Sequence, residues 1–122
     1  MLAAVEGPLA VLIDDAELLR DCDAAGELSR IVTGPSEPGS AFPRALVLAG
    51  DPESGLCAGF GGWQVDAKRA RRGALTAAAS VADGELIGAR LTRGQAGQRA
   101  RPGRCLLHAG DGDLVTVTVP LP

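Results

Sequence analysis

Apolar residues along this chain collect in short, unbroken runs separated by glycine, proline and charge. Leu9–Ile13 reads L-A-V-L-I after Gly7-Pro8, and its shortness and β-branched Val11 and Ile13 predict a strand buried on both faces. Leu18, Leu19, Cys22, Ala25, Leu28 and Ile31–Val32 then recur at helical spacing, with Glu17, Asp21 and Glu27 on the opposite face and Asp23 nearby. That pattern predicts a helix stopping at Thr33-Gly34-Pro35. Thr33–Arg44, rich in Pro, Gly and Ser, reads as an exposed, mobile loop, and Ala45–Ala49 as a second buried strand closed by Gly50-Asp51-Pro52.

The second half is more broken. A helix starting near Asp51–Ser54 places Leu56, Phe60, Trp63, Ala67 and Ala70 on one stripe, with Trp63 as a core anchor. Gly59, Gly61 and Gly62 weaken its early turns by about 1 kcal/mol each relative to alanine. It is predicted to end in Lys68-Arg69-Ala70-Arg71-Arg72-Gly73, where cations complement the helix dipole and Gly73 provides the stop. Ala74–Ser80 reads as a third, small-residue strand, and Asp83–Leu91 as either a short helix or a turn followed by a strand. Arg93–Arg104 is a loop rich in Gly, Arg and Gln. Cys105–Ala109 and Leu114–Val119, around Gly110-Asp111-Gly112, predict a hairpin. Val115, Val117 and Val119 alternate with threonines, as in a strand exposed on one face.

With 122 residues and 46% hydrophobic content the chain can build a core, but two Phe, one Trp and no Tyr make that core aliphatic. The net charge of −3 hides a division. Residues 1–66 hold 11 acids against 3 bases, net −8, and residues 67–122 hold 4 acids against 9 bases, net +5. The two halves therefore complement each other or a partner, and the second half suits an anionic one. Cys22, Cys57 and Cys105 form no CxxC pair and suit small core residues in a reducing compartment better than a disulfide framework or zinc site. No apolar stretch approaches the roughly 20 residues of a bilayer span, and no secretory leader pattern opens the sequence, so a cytoplasmic protein is expected. His108 stands without a paired ligand and reads as structural.

The chemistry-bearing stretch is Asp14-Asp15, at the carboxyl end of the first strand, where open α/β sheets place their ligands. An apolar run followed by two acids is the Walker B pattern, in which the first carboxylate helps hold Mg²⁺ and the second directs water. Asp14-Asp15-Ala16-Glu17 equally fits a capping box opening a helix, and the two readings are compatible.

Taken in order, Val11–Leu19 (V-L-I-D-D-A-E-L-L), Ala45–Asp51 (A-L-V-L-A-G-D), Gly62–Gly73, Asp83–Leu91 and Pro102–Leu107 (P-G-R-C-L-L) resemble the carboxy-terminal portion of FtsK/SpoIIIE-type ATPases. The likeness is to the last, divergent module of multi-module members, including the EccC-like motors of type VII secretion. It implies an α/β fold for residues 1–122: a partial, RecA-like P-loop domain with mainly parallel strands, flanking helices and a terminal β-hairpin. Its parts would be a Walker B strand and helix (9–32), a flexible loop (33–44), a strand and helix (45–73) and carboxy-terminal strands (74–122). By the same resemblance Asp14 is the acid linked indirectly to Mg²⁺, and Asp15 the water-directing one, in place of the more usual Glu. Arg71, Arg72 and Arg104 are candidates to face the phosphates of a neighbouring subunit. ATP and Mg²⁺ are the implied cofactors, other ATPase modules in a ring the implied partners, and DNA or a secreted protein the implied cargo. Membrane contact would come only through a parent or partner protein.

Besides Asp15, the sequence departs from the family in four places, the first being a Thr33–Arg44 loop longer than this connection generally is in the family. Ala49-Gly50 is apolar where active members place a polar sensor, and Cys105 replaces a glycine in the late Gly-Arg-Gly segment. No G-x-x-x-x-G-K-[ST] occurs, so the backbone N–H cradle, the phosphate lysine and the Mg²⁺-binding hydroxyl are missing from these residues. Hydrolysis by this chain alone is not expected. A degenerate docking or regulatory module is the alternative. A nucleic-acid binder using Lys68–Arg72 and Arg90–Arg104 fits less well, given the acidic balance and the lack of interleaved aromatics.

Overall fold

The computed structural model describes residues 7–34, 44–51, 56 and 61–120 of the chain. It is a small mixed α/β protein with a parallel two-stranded sheet and an antiparallel three-stranded sheet. The chain divides into two compact units, Met1–Ala67 and Lys68–Pro122, so the boundary falls where the sequence changes from acidic to basic.

In the first unit, β1 (Leu9–Ile13) and β2 (Arg44–Leu48) pair in parallel, Leu9 opposite Arg44 through Ile13 opposite Leu48. The connection carries α1 (Ala25–Thr33), as parallel neighbours require a long crossover. Alternation then sorts the side chains. Val11, Ile13, Leu46 and Leu48 pack on a core of Ala16, Leu28 and Trp63, joined by Cys22, Ala25 and Leu56. Leu12 and Val47, neighbours on the opposite face, are 76% and 55% exposed. The expectation of strands buried on both faces therefore holds for one face only among the described residues. The expected continuous helix is two pieces, a 3₁₀ turn at Ala16–Leu19 and then α1. The break delivers Ala16 and Leu28 to the same core through separate elements. The only helical segment described between β2 and Gly73 is α2 (Trp63–Lys68), which buries Trp63 and Gln64. Phe60, Gly59, Cys57, the expected helix start at 52–54 and most of the 33–44 loop lie outside the described residues.

In the second unit, β3 (Gly73–Leu75), β4 (Arg104–His108) and β5 (Leu114–Thr118) form an antiparallel sheet in that order. The hairpin occurs as the Gly-Asp-Gly signal predicts, with Gly110 and Gly112 at φ +93° and +100°. Among the described residues, parallel pairing is thus confined to β1 and β2. The expected mainly parallel sheet does not extend past Gly73 because these turns return the chain on itself.

Gly73 is not a helix stop but the first residue of β3, and an added Cβ there would lie 2.6 Å from Ile87 Cγ2. The third strand is shorter than the expected 74–80, ending at Leu75. A 3₁₀ helix, Val81–Ile87, resolves the ambiguity at 83–91. Its capping box joins Ser80 and Asp83. Leu75, Ala78, Ile87 and Leu91 form the core, with Leu106 and Leu114 packed against it. Leu114 and Thr116 share the core-side register with Leu106 and His108, whereas Val115 lies on the other face, 54% exposed. No helix among the described residues is long and apolar enough to cross a membrane.

Candidate functional site

Two places in the fold gather chemistry, one in each unit. In the first, Asp14 and Asp15 follow directly on β1, exposed at its carboxyl end. Ala49 clamps both sides of their turn: its N–H donates to the Ile13 carbonyl at 2.8 Å, and its carbonyl accepts from the Ala16 N–H at 3.0 Å. From below, the Trp63 indole N–H donates to the Leu19 carbonyl at 3.2 Å, and the Gln64 amide donates to the Ala16 carbonyl at 3.2 Å. Both side chains are about 1% exposed, so α2 grips the 3₁₀ turn that the two acids precede.

The capping reading is corrected by this geometry. Asp15 is left-handed, φ 49° and ψ 45°, and no side-chain hydrogen bond caps the 3₁₀ turn. Asp14 Oδ1 instead accepts the Asp15 N–H at 3.0 Å. Glu17, the expected return partner, accepts the Asp51 N–H at 3.4 Å. Gly50 lies against that carboxylate, and a Cβ added there would meet Glu17 Oε2 and the Leu56 side chain.

The two carboxylates do not by themselves fit a Mg²⁺·ATP site. No group of three metal-ligating side chains forms among the described residues, and the sequence has no phosphate loop. Ala49, in the sensor position implied by the family likeness, offers only its backbone.

The second unit separates the three candidate arginines. Arg71 is itself left-handed, φ 52°, and its guanidinium donates to the Gly88 carbonyl at 3.1 Å. Arg72 lies over Gly110, whose added Cβ would meet its Nε at 2.9 Å. Arg71 thus fastens a loop of its own unit, and Arg72 packs against one. Arg104, the first residue of β4, instead lines a hollow of about 90 Å³ with Arg99 and Arg101. Among the described residues no carboxylate lines it. His108, 3% exposed, places Nδ1 2.7 Å from the Ile87 carbonyl and so joins β4 to the 3₁₀ helix.

Sequence reasoning alone did not single out Gln64, and it took in Arg99 and Arg101 only as part of the Arg90–Arg104 stretch. Burial of Gln64 has no local signal, but R-A-R-P-G-R is a visible cluster closed by a turn dipeptide. Comparison with family models, curated proteins and solved structures finds no match to this chain.

Proposed function

We propose that the chain is a module of an FtsK/SpoIIIE-type translocation ATPase assembly. In this reading it has a partial RecA-like scaffold, contributes Asp14 and Asp15 as Walker B acids, and hydrolyses no ATP alone. The observation that carries the reading is the acidic turn at the carboxyl end of a parallel strand pair, clamped by Ala49, Trp63 and Gln64. The uncovered face carrying Leu12 and Val47 supports assembly, because parallel strands are ordinarily covered on both sides. The working place is the cytoplasm, and the cargo of the assembled motor is duplex DNA or a secreted protein.

Calorimetry with Mg²⁺·ATP tests the first part. The expected result is no heat beyond that of an Asp14→Asn control. Micromolar binding abolished by Asp14→Asn would overturn it, since a complete nucleotide site would then exist without a phosphate loop. A second reading, a docking or regulatory module, is favoured by the left-handed Asp15 and by the Asp14 carboxylate turned onto the Asp15 N–H. ATP turnover by the reconstituted motor separates the two. Loss with Asp14→Ala and Asp15→Ala supports the Walker B role, and unchanged turnover supports docking.

A further inference from the structure

We infer that the arginine-lined hollow of the second unit is a binding site for a terminal phosphoryl group, as in inorganic pyrophosphate or a small phosphate monoester. This inference is independent of the Walker B reading.

The hollow is held by backbone. Arg101-Pro102-Gly103-Arg104 is a tight turn, closed by the Arg104 N–H on the Arg101 carbonyl at 3.0 Å, with Gly103 at φ +74°. Pro at its second position and a left-handed Gly at its third are what a type II turn demands. The turn therefore fixes Arg101 and Arg104 as close neighbours before any ligand arrives. The Val119 N–H, donating to the Gly103 carbonyl at 2.6 Å, ties that turn to the end of β5. On the opposite side, the Gly97 N–H donates to the Ala78 carbonyl at 2.7 Å, pinning the Thr92–Gly97 turn to the segment after β3.

Donors dominate the lining. Arg99, Arg101 and Arg104 bring guanidinium forks, and Thr76 and Thr116 bring hydroxyls. Gln95 Oε1 already accepts from the Thr92 N–H at 2.9 Å and the Thr92 hydroxyl at 3.0 Å, which leaves its NH₂ as the free end of the amide. Three cations with no lining carboxylate repel one another, and an anion among them relieves that repulsion. A volume near 90 Å³ suits one tetrahedral oxyanion rather than a whole nucleotide. A dianionic terminal phosphoryl group matches three arginines better than a singly charged phosphodiester does.

The test is a titration of the ¹⁵N-labelled chain with sodium pyrophosphate at constant ionic strength, followed by amide shifts. Expected are saturable shifts confined to residues 76–78, 95–104 and 116, complete below about 1 mM. Arg101→Gln and Arg104→Gln should each weaken binding about tenfold, and Arg104→Lys severalfold, because the planar fork is lost while charge is kept. Arg93→Gln, which does not line the hollow, should leave binding unchanged. All three positions are exposed, so the variants keep the fold, verified by their amide dispersion. Inorganic phosphate binding more weakly at the same amides, with a duplex oligonucleotide leaving them unmoved, supports the assignment. Shifts that never saturate, affinity unchanged in the Arg101→Gln/Arg104→Gln double variant, or binding of the oligonucleotide alone would overturn it.

Discussion

Replacing Gln64 with leucine removes a buried side-chain amide, donor and acceptor together, from the first unit while nearly keeping the side chain's size. Gln64 is buried, its Nε2 bonds the carbonyl of Ala16, and Ala16 is itself fully buried. Among the described residues no buried side-chain donor or acceptor lacks a partner, so the substitution leaves polar groups facing an apolar branch with no route to water. That costs about 1–3 kcal/mol, offset in part by the better burial of leucine, for a net loss of about 1–2 kcal/mol. The assay is urea unfolding followed by the emission of Trp63. Trp63 is the chain's single tryptophan, is 1% exposed and adjoins the mutated position, so it reports the first unit. With a denaturant slope near 1 kcal/mol per molar for a unit of this size, the midpoint should fall by about 1–2 M at unchanged slope. An unchanged or raised midpoint would refute the claim that Gln64 holds the 3₁₀ turn beneath Asp14 and Asp15.

Glycine-to-alanine changes should have opposite signs at two positions. Gly26 in α1 has open space around its missing Cβ, so Gly26→Ala should stabilise the first unit by about 0.5–1 kcal/mol, read from the Trp63 transition. At Gly84 the Cβ would lie 2.5 Å from the Ala89 carbonyl oxygen and 2.8 Å from Leu91 Cγ, so Gly84→Ala should cost about 2 kcal/mol, read by thermal circular dichroism. Asp15→Gly relieves a left-handed backbone and should leave the first unit as stable or about 1 kcal/mol more so, and a clear loss would mean that the Asp15 side chain holds the turn. The backbone N–H of Ser80, with further hydrogen bonds from the Ser80 hydroxyl and the Ala79 N–H, holds the Asp83 carboxyl below its ordinary value of 3.8 despite some burial. A depressed folded value means that this stabilisation is present above the unfolded value and lost as pH falls through the folded one. Thermal midpoints of the wild type should therefore drop below pH 3.8 more steeply than those of Asp83→Asn, and parallel profiles would contradict the capping box.

Several features were legible in the order of residues because they depend on near neighbours. Leu9–Ile13 forms a strand because an apolar β-branched run bounded by Gly-Pro has few alternatives, and Gly110-Asp111-Gly112 turns the chain because glycine tolerates positive φ. The placement of Asp14-Asp15 at a strand end follows in the same way. Which face turns inward was decided only by tertiary structure. The alternation of β5 allows either face to be buried, and pairing with β4 sets Leu114 and Thr116, not Val115, on the core side. The helix pattern from Leu18 to Val32 broke because Ala16 and Leu28 reach a common core with Trp63, which lies more than thirty residues away in sequence. The arginines look alike as letters. Their roles diverge because Gly88 and Gly110 accept Arg71 and Arg72 at close range, while a Pro-Gly turn leaves Arg101 and Arg104 side by side. Local preference is written into consecutive residues, whereas burial and partnership depend on contacts that exist only once distant segments have met.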